Sequence, residues 1–137
     1  MVDITPFRGL LFNQDITGPV DQVTAPPYDV ISPKQQDAFY KKNSYNVVRL
    51  ILEKQYSDDD EKNNRYTRSS VTFKKWIKDG ILIQDKKPGF YVYSQEYEYA
   101  GESVCRVGFF ARVRTEDFSS GNICPHEFTL AKAKQDR

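Results

Sequence analysis

The only histidine of the chain, His126, sits in Pro125-His126-Glu127 and is followed closely by Thr129, Lys134 and Arg137. Imidazole, ammonium and guanidinium groups hold phosphate oxygens, and a threonine hydroxyl adds a further donor. Glu127 can accept a proton from a substrate hydroxyl or help to hold Mg²⁺. These types suit phosphate binding or phosphoryl transfer. A polar loop ending in a charged, solvated tail is the competing reading of the same residues.

A second candidate lies in Ala25-Pro26-Pro27-Tyr28-Asp29. Two successive prolines stiffen a loop at little cost in chain entropy, so Tyr28 and Asp29 would be held in fixed directions. The alternative is a purely structural turn. Arg8 and Arg49 each lie among apolar residues. Such an arginine meets a carboxylate, reaches outward to water, or serves a ligand phosphate.

Other chemistries fail on residue types. Cys124-Pro125-His126 places a thiol two positions from the imidazole, with Cys105 as a third soft group, but no Cys-x-x-Cys spacing completes a zinc site. As a nucleophilic pair, Cys124 and His126 lack an orienting group and an oxyanion hole. The seven glycines never fall into a Gly-x-Gly or Walker pattern, which removes a conventional phosphate loop and a dinucleotide fingerprint. Zinc, haem and dinucleotide are therefore not expected, and no metal ligands are assigned.

The elements that must position these groups are built from 137 residues, a length suited to one domain with its own apolar core. Hydrophobic types make up 39% and aromatics 14%, enough large rings to bury a core and argue against disorder. Twenty Lys and Arg against nineteen Asp and Glu leave a net charge of +1, which argues against a general nucleic-acid binder. The start, MVDITPFRGLLF, lacks the pattern of a signal peptide, and Val47 to Leu52 is too short to span a membrane. The expectation is a cytoplasmic protein with no membrane partner and two reduced, partly buried cysteines.

Along the chain, Leu10 to Phe12 is a short apolar opening, and Asn13 to Val30 reads as extended and turn-rich. Ser32, Pro33 and Gln35 spell a capped helix start, with the helix running to about Lys42. Tyr45 to Leu52 (YNVVRLIL) is rich in β-branched residues and predicts a buried strand. The acidic run Asp58 to Glu61 and Gly80 bracket a long helix whose inward stripe would be Tyr66, Ser69 or Ser70, Phe73, and Trp76 or Ile77. Lys74, Lys75 and Lys78 would face away. Ile81 to Ile83 predicts a strand, Asp85 to Gly89 a turn, and Phe90 to Tyr99 with Val104 to Arg114 a β-hairpin turned at Ala100-Gly101. Thr115 to Gly121 reads as loop, and Asn122 onward as a strand end followed by a polar tail. The predicted fold class is α+β: a mixed, mainly antiparallel sheet with two main helices, in a single domain over residues 1–137.

PFRGLLF (6–12), APPYDVIS (25–32), YNVVRLIL (45–52), WIKDGIL (76–82), YVYSQEYE (91–98), GFFARV (108–113) and PHEFTLAKAKQDR (125–137) together resemble, in order, the start of the family called domain of unknown function 1015. The resemblance implies longer family members, so the chain would be an N-terminal portion whose missing partner is the remainder of its own polypeptide. It also implies a relation to the ParB/sulfiredoxin-like group, which includes nucleotide-dependent kinases of free serine. On that basis His126, Glu127, Thr129, Lys134, Asp136 and Arg137 fall on the family's PHE-x-T…K-x-D-R motif, and Tyr28 and Asp29 on PPYDVI. Phe128 stands where arginine is common, and Ala131-Lys132-Ala133 where a proline and glycine pattern is usual.

The implied activity is phosphotransfer from ATP or ADP with Mg²⁺ to a free hydroxyl amino acid such as serine. Glu127 and Asp29 would be catalytic, and His126, Thr129, Lys134, Arg137, Arg8 and Tyr28 would hold phosphate or nucleotide. With half of its walls missing, such a site would turn over negligibly in this portion alone. The alternative is a non-catalytic nucleotide- or nucleic-acid-binding regulatory module.

Overall fold

The computed structural model describes residues 2–124. In chain order these form β1 (Ile4–Thr5), β2 (Leu10–Phe12), α1 (Gln14–Thr17), α2 (Val20–Val23), a 3-10 turn (Tyr28–Val30), α3 (Pro33–Lys42), α4 (Val48–Ile51), α5 (Arg65–Lys78), β3 (Leu82–Gln84), β4 (Tyr91–Tyr99), β5 (Glu102–Phe110) and β6 (Arg112–Val113). The fold is mixed α+β; its paired strands are antiparallel and α3 and α5 are the main helices. None of the helices described is long and apolar enough to cross a membrane. Gly9–Lys86 forms one compact unit, and the stretches on either side of it form another.

In the central unit, α3 starts on the expected capping box: Ser32 Oγ accepts from the Gln35 amide, and Gln35 Oε1 accepts from the Ser32 amide at 2.9 Å. Lys41 and Lys42 lie in its last turn, where the helix dipole favours cations. Helix α5 starts later than the acidic run suggested. Asp60 Oδ1 accepts from the amides of Lys62 and Asn63, a local turn that competes with helix, so Asn64 becomes the cap. Asn64 accepts from Tyr66 and Thr67, and Thr67 Oγ1 accepts from the Asn64 amide in return. Gly80, at φ +70°, ends the helix as expected.

The stripe of α5 differs from the expected one. Tyr66, Phe73 and Ile77 are 44%, 39% and 42% exposed, while Trp76 is buried. The inward row is Arg65, Arg68, Ser69, Thr72 and Trp76, which is largely polar because the helix faces a hydrogen-bonded loop as well as the core. That core is Trp76, Ile81 and Leu82, with Phe12, Tyr45 and Leu50 packed on it. Phe12 and Tyr45 each meet Trp76 edge-on at 6.0 Å. Strands β2 and β3 pair Phe12 with Leu82 and Leu10 with Gln84, closing the loop over this core.

The strand expected over Tyr45 to Leu52 is a turn followed by α4. Asparagine chemistry overrides β propensity there. Asn43 Oδ1 accepts from the Tyr45 amide and Asn46 Oδ1 from the Val48 amide, closing local turns in place of a strand ladder. Fully buried Asn46 also donates to the carbonyls of Gln22 and Thr24, both at 3.0 Å. The segment from Asn13 is likewise less extended than expected: Asn13 caps α1 by accepting from the Asp15 amide, and α2 follows directly.

The other unit is dominated by the β4–β5 hairpin, whose register runs from Tyr91↔Phe110 to Tyr99↔Glu102. Ala100 and Gly101 turn it with φ 52° and 83°, the two left-handed residues of a type I′ turn. Arg112–Val113 leaves the hairpin to pair with β1. Phe7 bridges Gly89 and packs on Tyr91 at 4.9 Å. Cys105 and Cys124 are free and exposed, not partly buried as expected. On a two-stranded ribbon no second layer is available to cover Cys105, whose Sγ lies 3.2 Å from Ser94 Oγ.

Candidate functional site

The polar groups of the central unit converge on Glu53, which follows α4 directly. Tyr40 on α3 donates its hydroxyl to Glu53 Oε1 at 2.5 Å, and the Lys54 amide donates to the same oxygen at 3.0 Å. Glu53 Oε2 has no hydrogen-bond partner among the described residues, although the carboxylate feels the charge of Arg68. One carboxylate oxygen is thus anchored and the other remains open. Burial, and then the hydrogen bond and charge of Glu53, push the Tyr40 phenol well above its ordinary range, so it stays a donor.

Cations brace this pair. The Arg49 guanidinium lies 4.2 Å from the centre of the Tyr40 ring and donates to the Tyr40 carbonyl at 3.1 Å. Lys54 Nζ pairs with Asp37 at 2.5 Å, holding that carboxyl below the usual carboxylate range. Gln36 donates to the Leu52 carbonyl at 2.8 Å, which fixes the strand-like segment carrying Glu53 against α3. On the α5 side, Arg68 grips Asp59 with two bonds of 2.7 and 3.0 Å and donates to the Lys54 carbonyl at 2.7 Å. The Arg68 hydrogen bond is the main reason the Asp59 carboxyl is lowered. The buried Nε atoms of Arg49 and Arg68 have no hydrogen-bond partner among the described residues.

Glu53 lines two grooves. One, of about 410 Å³, is also lined by Lys62, Asn63, Thr67 and Arg68. The other, of about 260 Å³, is also lined by Ile31, Gln36, Gln55 and Arg65. Arg65 is steadied by donating to Tyr66 Oη at 2.7 Å, with its guanidinium 4.8 Å from the centre of that ring. Both grooves are therefore lined by a carboxylate and a cation. That arrangement can hold a phosphate, orient a hydroxyl, or receive a molecule carrying both charges.

Of the residues chosen from the sequence, Tyr28 and Asp29 share the 3-10 turn after Pro27 and both are exposed. The turn continues through Ile31, the residue that reaches the smaller groove. Arg8 is exposed and belongs to the other unit. His126, Glu127, Thr129, Lys134, Asp136 and Arg137 lie outside the described residues. Arg49, expected within a buried strand, instead stacks on Tyr40 from α4.

Sequence reasoning missed Tyr40, Glu53, Arg65 and Arg68. The available signal was the charged pair Glu53-Lys54 directly after an apolar run, with Arg65 and Arg68 one helical turn apart at the start of α5. Among the described residues, no group of three or more His, Cys, Asp or Glu could hold a metal ion.

The model of the family described as Protein of unknown function (DUF1015) matches residues 4–137. Neither the search of curated proteins nor that of solved structures gave a match. A match over nearly the whole chain makes this protein a member of the DUF1015 family.

Proposed function

We propose that the protein takes part in phosphoryl transfer from ATP or ADP to a free hydroxyl amino acid such as serine. The observation that carries this reading is Glu53: a carboxylate held through one oxygen, open at the other, and lining two grooves that each carry a cation. A kinase acceptor needs such a group to take the hydroxyl proton, and the phosphates need cations nearby. Asp29 and Glu127 are the other carboxylates in the proposal. The relation to nucleotide-dependent serine kinases of the ParB/sulfiredoxin-like group that the family resemblance implies points the same way.

In the reaction, the serine hydroxyl gives its proton to the open oxygen of Glu53 and its oxygen bonds to the terminal phosphorus. The bond from that phosphorus to its bridging oxygen breaks, and the nucleotide leaves with the electron pair. Lys62 and Tyr28, both of the central unit, supply groups for phosphate and nucleotide. Mg²⁺, when bound, neutralises phosphate charge, and it binds mainly through phosphates, water and one or two carboxylates rather than a protein cage.

The test is the natural full-length polypeptide incubated with ATP or ADP, Mg²⁺ and L-serine, with phosphoserine read by mass spectrometry. Product is expected, and E53Q lowers turnover by about 10²- to 10⁴-fold. Absence of product with every common nucleotide and hydroxyl amino acid overturns the proposal.

A further inference from the structure

The smaller groove of the central unit is lined by opposite charges. Its volume is about 260 Å³, below the roughly 300–1,000 Å³ of pockets for drug-sized ligands. Glu53 offers an uncommitted oxygen there, and Arg65 has one guanidinium nitrogen bound to Tyr66, which leaves the rest of its planar fork to donate. Gln36 and Gln55 add neutral polar groups, and Ile31, Pro33 and Leu52 add an apolar side. Both charged groups are pre-organised: Glu53 by Tyr40 and the Lys54 amide, Arg65 by its contact with the Tyr66 ring. Holding such groups in advance lowers the ordering cost of binding.

We infer that this groove is a site for a small α-amino acid, with Arg65 receiving the α-carboxylate and the open Glu53 oxygen accepting from the α-ammonium with one lone pair and from the side-chain hydroxyl with the other. The inference rests on the proposed function in naming serine as the ligand, and it deepens that reading by locating the acceptor. A planar guanidinium matches a carboxylate with two donors, and a carboxylate oxygen accepts from an ammonium. A molecule with only one of the two charges leaves the opposite group facing the ligand unpaired. The groove therefore discriminates by charge pattern more than by side-chain size.

Calorimetric titration of the natural full-length polypeptide, without nucleotide, compares L-serine with ethanolamine, which lacks the carboxylate, and 3-hydroxypropionate, which lacks the ammonium. Serine is expected to bind about ten- to hundredfold more tightly than either analogue. R65Q should erase the preference over ethanolamine, and E53Q the preference over 3-hydroxypropionate. The analogues act on unaltered protein, so they report even where a variant unfolds. Equal binding of all three ligands, no serine binding at millimolar concentration, or preferences unchanged by folded R65Q and E53Q would each overturn the inference. Phosphoserine formation whose serine KM is untouched by R65Q would sink the groove and leave the kinase reading standing. Charge-selective serine binding without phosphoserine would do the reverse.

Discussion

The central unit and the hairpin unit draw on different sources of order. Gly9–Lys86 contains every residue that is buried among those described, including Val23, Val48, Trp76, Ile81 and Leu82. The hairpin unit is rich in aromatic residues, yet Tyr99, Phe109 and Phe110 are 71%, 57% and 58% exposed. It is held by a nine-pair ladder, a two-residue turn and ring contacts such as Tyr93 with Phe110 at 5.3 Å. A two-stranded ribbon of that kind is marginal in isolation, whereas an apolar core with a hydrogen-bonded Asn46 inside it is cooperative. Polar groups are held rigidly enough for chemistry where a core stands behind them, and Glu53 has one.

The sharpest break in this comparison is Trp76→Ala. It removes the ring on which Phe12 and Tyr45 pack and should cost about 3–5 kcal/mol, read by denaturant unfolding. The loss of structure should be confined to the central unit. Asn46→Ala follows at about 2–3 kcal/mol, because it leaves the Gln22 and Thr24 carbonyls and the Val48 amide without their partner. Hydrogen exchange should rise at α2 and α4 and stay unchanged in the hairpin.

Ala100→Gly should act on the other unit alone, and in the opposite direction. Ala100 sits at φ 52°, which an L side chain adopts reluctantly, so glycine should stabilise the hairpin by about 0.5–1 kcal/mol. Amide protection along Tyr91–Phe110 is the readout.

The smallest effect is acid sensitivity. Asp59 is lowered by Arg68, so the stability it contributes is complete above the ordinary carboxylate range and is lost as pH falls through its depressed value. D59N should lower the stability of the central unit at neutral pH, where the contribution is complete, and flatten the acid limb of its unfolding profile, so that the two proteins converge at low pH. A midpoint that falls identically with acid in both proteins would remove Asp59 from the account.

Much of the scaffold was legible because its signals are local. The Ser32-Pro33-Gln35 cap, Gly80 and the Ala100-Gly101 turn each depend on a few neighbouring residues, and all three stand where expected. Tyr45 to Leu52 was misread because β-branched composition says nothing of the hydrogen bonds Asn43 and Asn46 make to their own backbone. The site was less legible still. Tyr40 and Glu53 are thirteen positions apart, and Arg68 reaches back across fourteen to the Lys54 carbonyl. No periodicity encodes such pairs; they follow from how α3, α4 and α5 pack. The exposure of Tyr28 and Asp29, by contrast, follows directly from the stiff prolines before them.

The central claim, that chemistry belongs to the cored unit and centres on Glu53, is tested most directly by amide NMR of the natural full-length polypeptide titrated with L-serine in the presence of nucleotide and Mg²⁺. The account predicts concentration-dependent shifts clustered at Gln36, Glu53, Gln55 and Arg65, abolished by E53Q, with Tyr91–Phe110 unmoved. Shifts centred on the hairpin, or none at Glu53 and Arg65 under conditions where phosphoserine forms, would contradict it.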